Sequence, residues 1–222
     1  MSAAPRVPGA AARERMIAVA ERLFAERGIG EVSLREIGAG AGQRNHGAAQ
    51  YHFGTKAGLV RAIVEHRMRP LNERRLQLLA EVDAAGRADD LRALVVALLQ
   101  PFVESIARPP THWARFLAQV LGDPASGVLA GLDSPEMAGL REVVTRLERV
   151  LAPLPPVLRD DRLSLAGTLL IHTVAQWERR LGARGGRARV ALPVLAADLA
   201  DALVAVLGAP VSGATRGALT RS

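Results

Sequence analysis

The chain has 222 residues, 49% of them hydrophobic, enough to bury a sizeable core, and it contains no cysteine. Disulfide frameworks, thiolate zinc sites, iron–sulfur clusters and cysteine nucleophiles are thereby excluded, and so is a disordered chain. The formal charge is +7 and uneven: residues 1–75 carry 13 Lys+Arg against 7 Asp+Glu, whereas residues 76–222 carry 16 against 15, so a small basic head fits a polyanionic partner and the body fits something else; a scattered, solvated arginine surface is the alternative.

Hydrophobic spacing is helical nearly throughout and alternating β-branched runs are missing, which predicts an all-α fold of about nine helices. Residues 1–10 have Pro5 and Pro8 where a secretion signal would need its apolar core, so no signal and a disordered N-terminus are expected. The first helix is predicted over 13–27, with Met16, Ile17, Ala20, Leu23 and Phe24 on one face and Gly28 as its stop. Ser33 followed three residues later by Glu36 spells a capping box and starts a short second helix that ends in the stretch Gly38, Gly40, Gly42. Asn45 is placed as the N-cap of a third helix over 46–52, and Thr55 caps a fourth that buries Leu59, Val60, Ile63 and Val64 until Pro70 ends or kinks it.

Further helices are predicted over about 91–106, 111–121, 135–151, 160–181 and 189–207, separated by proline- and glycine-rich breaks. Residues 209–222 lack apolar periodicity and read as a flexible tail. The longest apolar stretches, 94–99 and 165–171, fall far short of the roughly 20 residues that span a bilayer, so no membrane partner is expected. The domains expected are a disordered 1–10, a DNA-binding head over 11–67, a helical ligand-binding and dimerisation body over 68–208, and the tail.

The head thus places two short helices around a glycine-containing turn, the layout of a helix-turn-helix, whose second helix lies in the major groove. A small helical subdomain without a partner has the same layout. The residues go further: Leu23-Phe24, Gly28, Ser33-Leu34, Ile37, Ala41-Gly42, then Tyr51-His52-Phe53-Gly54-Thr55-Lys56 and Leu59 resemble the DNA-binding domain of the tetracycline-repressor (TetR) family over about 50 residues. One departure is the stretch Gln43-Arg44-Asn45-His46, which makes the turn one residue longer than the family's commonest form.

The resemblance implies that Asn45 caps the recognition helix and that His46, Ala48 and Gln50 face the groove. Gln50 is the best base reader, because its amide can donate and accept at once and so match adenine N6 and N7. Ala48 can let a thymine methyl approach, and Gly47 serves either close approach to DNA or the packing of the turn. Tyr51, His52 and Lys56 are implied phosphate positioners, with Ser33 and Arg44 as secondary candidates. Lys56, the only lysine in the chain, sits at a helix N-terminus where a cation is disfavoured, and a bound phosphate there would resolve the conflict.

No histidine pairs with carboxylates at metal-ligand spacing, the glycines of 38–42 follow no strand, and Ser164 with His172 lies in no nucleophile motif, so no metal, cofactor or enzymatic activity is expected. In the body, the scarce aromatic residues Phe102, Trp113, Phe116 and Trp177, with Gln119, His172 and Gln176, are the candidate lining of a pocket for a lipophilic or aromatic small molecule; core filling is the ordinary alternative for the aromatics. Leu163, Leu169, Leu170 and Val174, with Leu195, Leu199 and Leu203, lie on the two helices that the resemblance makes a homodimer four-helix bundle, although a monomer would bury the same faces internally. The function implied is a cytoplasmic, ligand-responsive transcriptional regulator, a repressor by the family's usual mode, that binds a pseudo-palindromic double-stranded operator as a homodimer. The alternative is a helical small-molecule binder of the same fold with weak or lost operator specificity.

Overall fold

The computed structural model describes residues 8–45, 47–108, 111–122, 134–182 and 190–221. Among them are ten α-helices and no strand: α1 (Pro8–Arg27), α2 (Leu34–Gly40), α3 (Ala48–Phe53), α4 (Lys56–Ala84), α5 (Leu91–Ser105), α6 (Trp113–Gly122), α7 (Ala138–Val150, preceded by a 3-10 turn at Pro135–Met137), α8 (Pro156–Gly182), α9 (Leu192–Gly208) and α10 (Gly213–Leu219).

α1 begins five residues before the position expected from its apolar face. Pro8 is pre-set for a helix start and the alanines that follow favour helix, but neither contributes to an apolar stripe. α2 opens on the predicted capping box: Ser33 Oγ accepts from the Glu36 N–H at 3.2 Å, and Glu36 Oε2 accepts from the Ser33 N–H at 2.8 Å. Pro70 does not end α4, which continues as one 29-residue helix from the head into the body. An interior proline costs a helix about 3 kcal/mol. Here it stands exposed while Ile63, Val64, Met68, Leu71, Leu78 and Leu79 are buried along the helix, and that burial outweighs the lost hydrogen bond. The expected tail also needs correction, since α10 forms within it, started by Ser212 Oγ accepting from the Thr215 N–H at 3.1 Å, although none of its residues is buried.

α1 packs on α2, α4 and α6, so the head is not separated from the body by a linker. α6 lies between α1 and α8, and α5 packs against α4, α7 and α9. A single buried core runs from Met16, Phe24 and Ile37 through Leu59 and Ile63 to Leu94, Trp113, Phe116, Val174 and Leu203. Its centre is a chain of rings: Phe24 on α1 stacks on Phe116 with centroids 6.1 Å apart, Phe116 on Trp113 at 5.9 Å, and Trp113 meets the edge of Phe102 at 6.4 Å.

In that arrangement the rings expected to line a pocket are packed on one another. Phe102, Trp113 and Phe116 fill the core, and Trp177 is buried with its indole N–H donating to the Val190 carbonyl at 3.1 Å. Gln119, His172 and Gln176 are exposed. Four of the seven proposed dimer residues are likewise claimed within one protomer: Leu170, Val174, Leu199 and Leu203 are at most 5% exposed, sealed where α8 meets α9 and α6. Leu163, Leu169 and Leu195 remain half-buried. The apolar side chains these two helices do present are Val157, Leu165 and Val194, between 53% and 60% exposed.

Candidate nucleic-acid interface

The turn between α2 and α3 is built from local chemistry. Gly42 takes φ +70, a conformation L side chains rarely adopt, and the Gln43 N–H closes back onto the Gly38 carbonyl at 3.0 Å. Asn45, expected to adjoin the helix as its N-cap, instead stands two residues before the cap position, which Gly47 occupies, and its Oδ1 accepts from the Gly47 N–H at 2.9 Å in an Asx turn. α3 therefore starts at Ala48, two residues later than expected. His46 lies outside the described residues.

α3 has two opposite faces. Ala48 and Ala49 are buried against the head core, so Ala48 is no candidate for touching a base. Gln50 and Tyr51 point outward, Tyr51 with 86% of its surface exposed, and His52 sits edge-on to the Tyr51 ring with centroids 5.3 Å apart. An 86% exposed tyrosine buries almost nothing in this protomer, and the hydrophobic effect gives no reason for it to stand there. Arg44 and Asn45 are exposed on the same turn. Ser33 is exposed too, but both its hydroxyl and its N–H are engaged by Glu36. Those contacts and Arg27 hold the Glu36 carboxyl down from 4.5 to about 2.

Lys56 has partners that its sequence neighbourhood does not reveal. Its ammonium donates to the carbonyls of Ile29 and Gly30, both at 3.0 Å. These carbonyls follow the C-terminal end of α1, where a cation is favoured, so the lysine disfavoured at the start of α4 is stabilised by the end of another helix. An ammonium has three donors, and one is left beyond these two.

Three features the sequence reading passed over hold this surface in place. Glu21 on α1, only 2% exposed, takes a two-pronged bond from Arg67 on α4, with Nε and Nη2 at 2.6 and 2.7 Å. The Arg13 guanidinium lies 5.3 Å from the centre of the Phe53 ring, tying α1 to α3. Gly58 lies in the first turn of α4, where a Cβ would stand 2.2 Å from the Phe53 carbonyl oxygen, so no larger residue fits the joint between α3 and α4. Glycine near the start of a sequence that otherwise favours helix was the available signal for Gly58; the two ion contacts join residues too far apart in sequence to be read.

Comparison with known proteins agrees with this geometry. The pattern of "Bacterial regulatory proteins, tetR family" matches residues 16–63, which span α1 to the first part of α4. An HTH-type transcriptional repressor of Mycobacterium tuberculosis, Rv3405c, is 40% identical over 82 residues, covering 37% of this chain and 43% of that protein. A protein named putative pre-16S rRNA nuclease, from Thermobifida fusca, is 39% identical over 97 residues, covering 39% of this chain and 59% of that protein. The chain therefore spans less than two thirds of the length of the curated relatives it matches. Over nearly the whole chain the fold is that of the NalD structure, the secondary repressor of the MexAB-OprM multidrug efflux pump in Pseudomonas aeruginosa: TM-score 0.56, 19% identity, 88% of this chain and 96% of that one. The head of the chain, residues 16–63, is thus similar to the tetR family of bacterial regulatory proteins, with a helix-turn-helix that presents its second helix outward, and the helical body behind it has the fold of NalD.

Proposed function

We propose that the protein is a ligand-responsive transcriptional repressor that binds a pseudo-palindromic operator as a homodimer in the cytoplasm and is released by a small molecule. The observation that carries the DNA-binding part is α3 itself, anchored through Ala48 and Ala49 while Gln50 and Tyr51 stand free in solvent. Gln50 reads a base edge, Tyr51, His52 and Arg44 position phosphates, and the third donor of Lys56 reaches a phosphate while the other two keep its place. Repression is supported by the similarity to the M. tuberculosis relative and to NalD, both of them repressors. Dimerisation is supported by Val157, Leu165 and Val194 on α8 and α9, an apolar strip that a second copy would cover, with half-buried Leu163, Leu169 and Leu195 beside it. The functional head extends over 11–67 and the body over 68–208, with α4 common to both.

Selection of bound duplexes from a random-sequence pool tests this reading. The expected product is an inverted repeat whose half-sites lie about one helical turn apart, roughly 34–36 Å or slightly more. Gln50→Ala should relax the preference at one position per half-site without abolishing binding, a loss of about 1–3 kcal/mol of discrimination. Recovery of unenriched sequence, with the same weak affinity for every duplex, would refute the operator and favour a small-molecule binder that has kept the fold.

A further inference from the structure

One face of α8 is left uncovered by its own protomer. Asp161, Thr168, His172 and Arg179 are all exposed along Pro156–Gly182, and Leu165 beside them is 60% exposed. Asp161 and Arg179 lie about five helical turns apart, so both charges project from the same side of the helix, roughly 27 Å from each other along its axis, with Thr168 and His172 within about 20° of the same line. None of these four side chains has a hydrogen bond or ion pair among the described residues, whereas other exposed charges of the body do: Arg92 is paired with Asp201, and Arg87 bonds Asp90 at 2.7 Å. The helix dipole accounts for a base in the last turn, but Asp161 stands beyond the first turn, and the dipole gives no reason for a hydroxyl and an imidazole to lie between the two charges.

The intervals between the four residues are seven, four and seven, a spacing that is the same from either end. An antiparallel copy of α8 that crosses at the level of Leu170 therefore meets it acid to base: Asp161 opposite the partner's Arg179, Thr168 opposite the partner's His172, and each contact is made twice by the two-fold symmetry. At a crossing angle of about 20° the helix axes stay within roughly 11 Å of each other at the charged ends, which an arginine can span. A parallel copy would set carboxylate on carboxylate and guanidinium on guanidinium.

We propose that this face of α8 is a self-recognition strip: Asp161 and Arg179 select a second copy of this chain and set the two α8 helices antiparallel, with Thr168 and His172 hydrogen-bonded near the two-fold axis and Leu165 covered beside them. The occupant is a second copy because the charge pattern is complementary to its own reverse. The strip rests on the dimer reading above and goes beyond it in assigning partner choice and register to named charges.

Sedimentation velocity of the full chain and its charge variants at low salt is the test. The wild type should be a dimer. Asp161→Arg and Arg179→Asp each turn two attractions into two repulsions and should raise the dimer dissociation constant about tenfold or more, a difference that shrinks in high salt. Mixing these two variants restores every pair, and so does the double variant Asp161→Arg with Arg179→Asp; both should dimerise to within about threefold of wild type. A single variant that dimerises as the wild type does, or a double variant no tighter than the singles, would overturn the strip and leave the dimer standing on its apolar contacts. A monomeric wild type would overturn both.

Discussion

The clamp between Glu21 and Arg67 joins α1 to α4, and its removal should loosen the frame on which α3 is presented. Replacing Arg67 by Met leaves the Glu21 carboxylate 2% exposed and without its two-pronged partner. Breaking a fully buried pair from one side costs about 3–5 kcal/mol. The Arg67 side chain is 33% exposed, so water can follow it into the gap and a cost of about 2–3 kcal/mol is the better expectation. For a chain of this size that is a fall in Tm of roughly 4–12 °C. The double variant Glu21→Met with Arg67→Met should recover most of the loss, because apolar side chains of similar volume replace a buried ion pair at little net cost. Urea melts of the four proteins, followed by circular dichroism, give the coupling energy directly. A coupling below about 0.5 kcal/mol would show that the pair is no stronger than an exposed surface bridge and would refute the reasoning.

Gly58→Ala should damage the head selectively: the added methyl cannot coexist with the Phe53 carbonyl 2.2 Å away, so specific DNA binding should fall at least tenfold while the far-ultraviolet helical signal stays nearly intact. Native-state hydrogen exchange would show the α3–α4 joint opening, and unchanged protection there would count against the clash. Lys56→Met removes two charge-assisted bonds to Ile29 and Gly30, an expected loss of about 1–3 kcal/mol in stability. It should also lower affinity for every duplex and reduce the salt slope by about one; an unchanged slope would mean that Lys56 serves the fold alone. For Glu36 the carboxyl is depressed to about 2 from 4.5, so its stabilising effect is present above pH 4.5 and is lost as pH falls towards 2. Wild type and Glu36→Gln should therefore differ in Tm at neutral pH and converge in acid, and a constant difference across that range would contradict the assignment.

What could be read from the sequence was what neighbouring residues decide. The Ser33–Glu36 box, the stop at Gly28, the cap at Thr55 and the apolar stripes of α1 and α4 each involve groups within a few residues of one another, and all appear as expected. The resemblance carried by Tyr51 to Lys56 located the head for the same reason, since it is a continuous string. Where local signals were weak or opposed, boundaries moved: α1 gained an alanine-rich turn with no stripe to mark it, and α10 formed on a serine cap without an apolar face. Asn45 shows the same limit, because an asparagine can cap a helix directly or through a turn, and only the completed turn selects between them.

Composition, periodicity and short motifs by themselves determined the all-helical class and the basic head, because each depends on spacing along one segment. The tertiary structure alone decided which apolar face went where. Leu170, Val174, Leu199 and Leu203 were equally suited to a second copy or to their own protomer, and packing against α6, α8 and α9 assigned them inward, leaving Val157, Leu165 and Val194 outside. It also decided that α4 passes through Pro70, that Lys56 meets carbonyls 26 and 27 residues away, and that Arg75 is buried with no counter-charge among the described residues. Long-range packing and charge pairing depend on distances in space that spacing along a chain does not encode, and in this protein those distances set the support of the outward-facing α3.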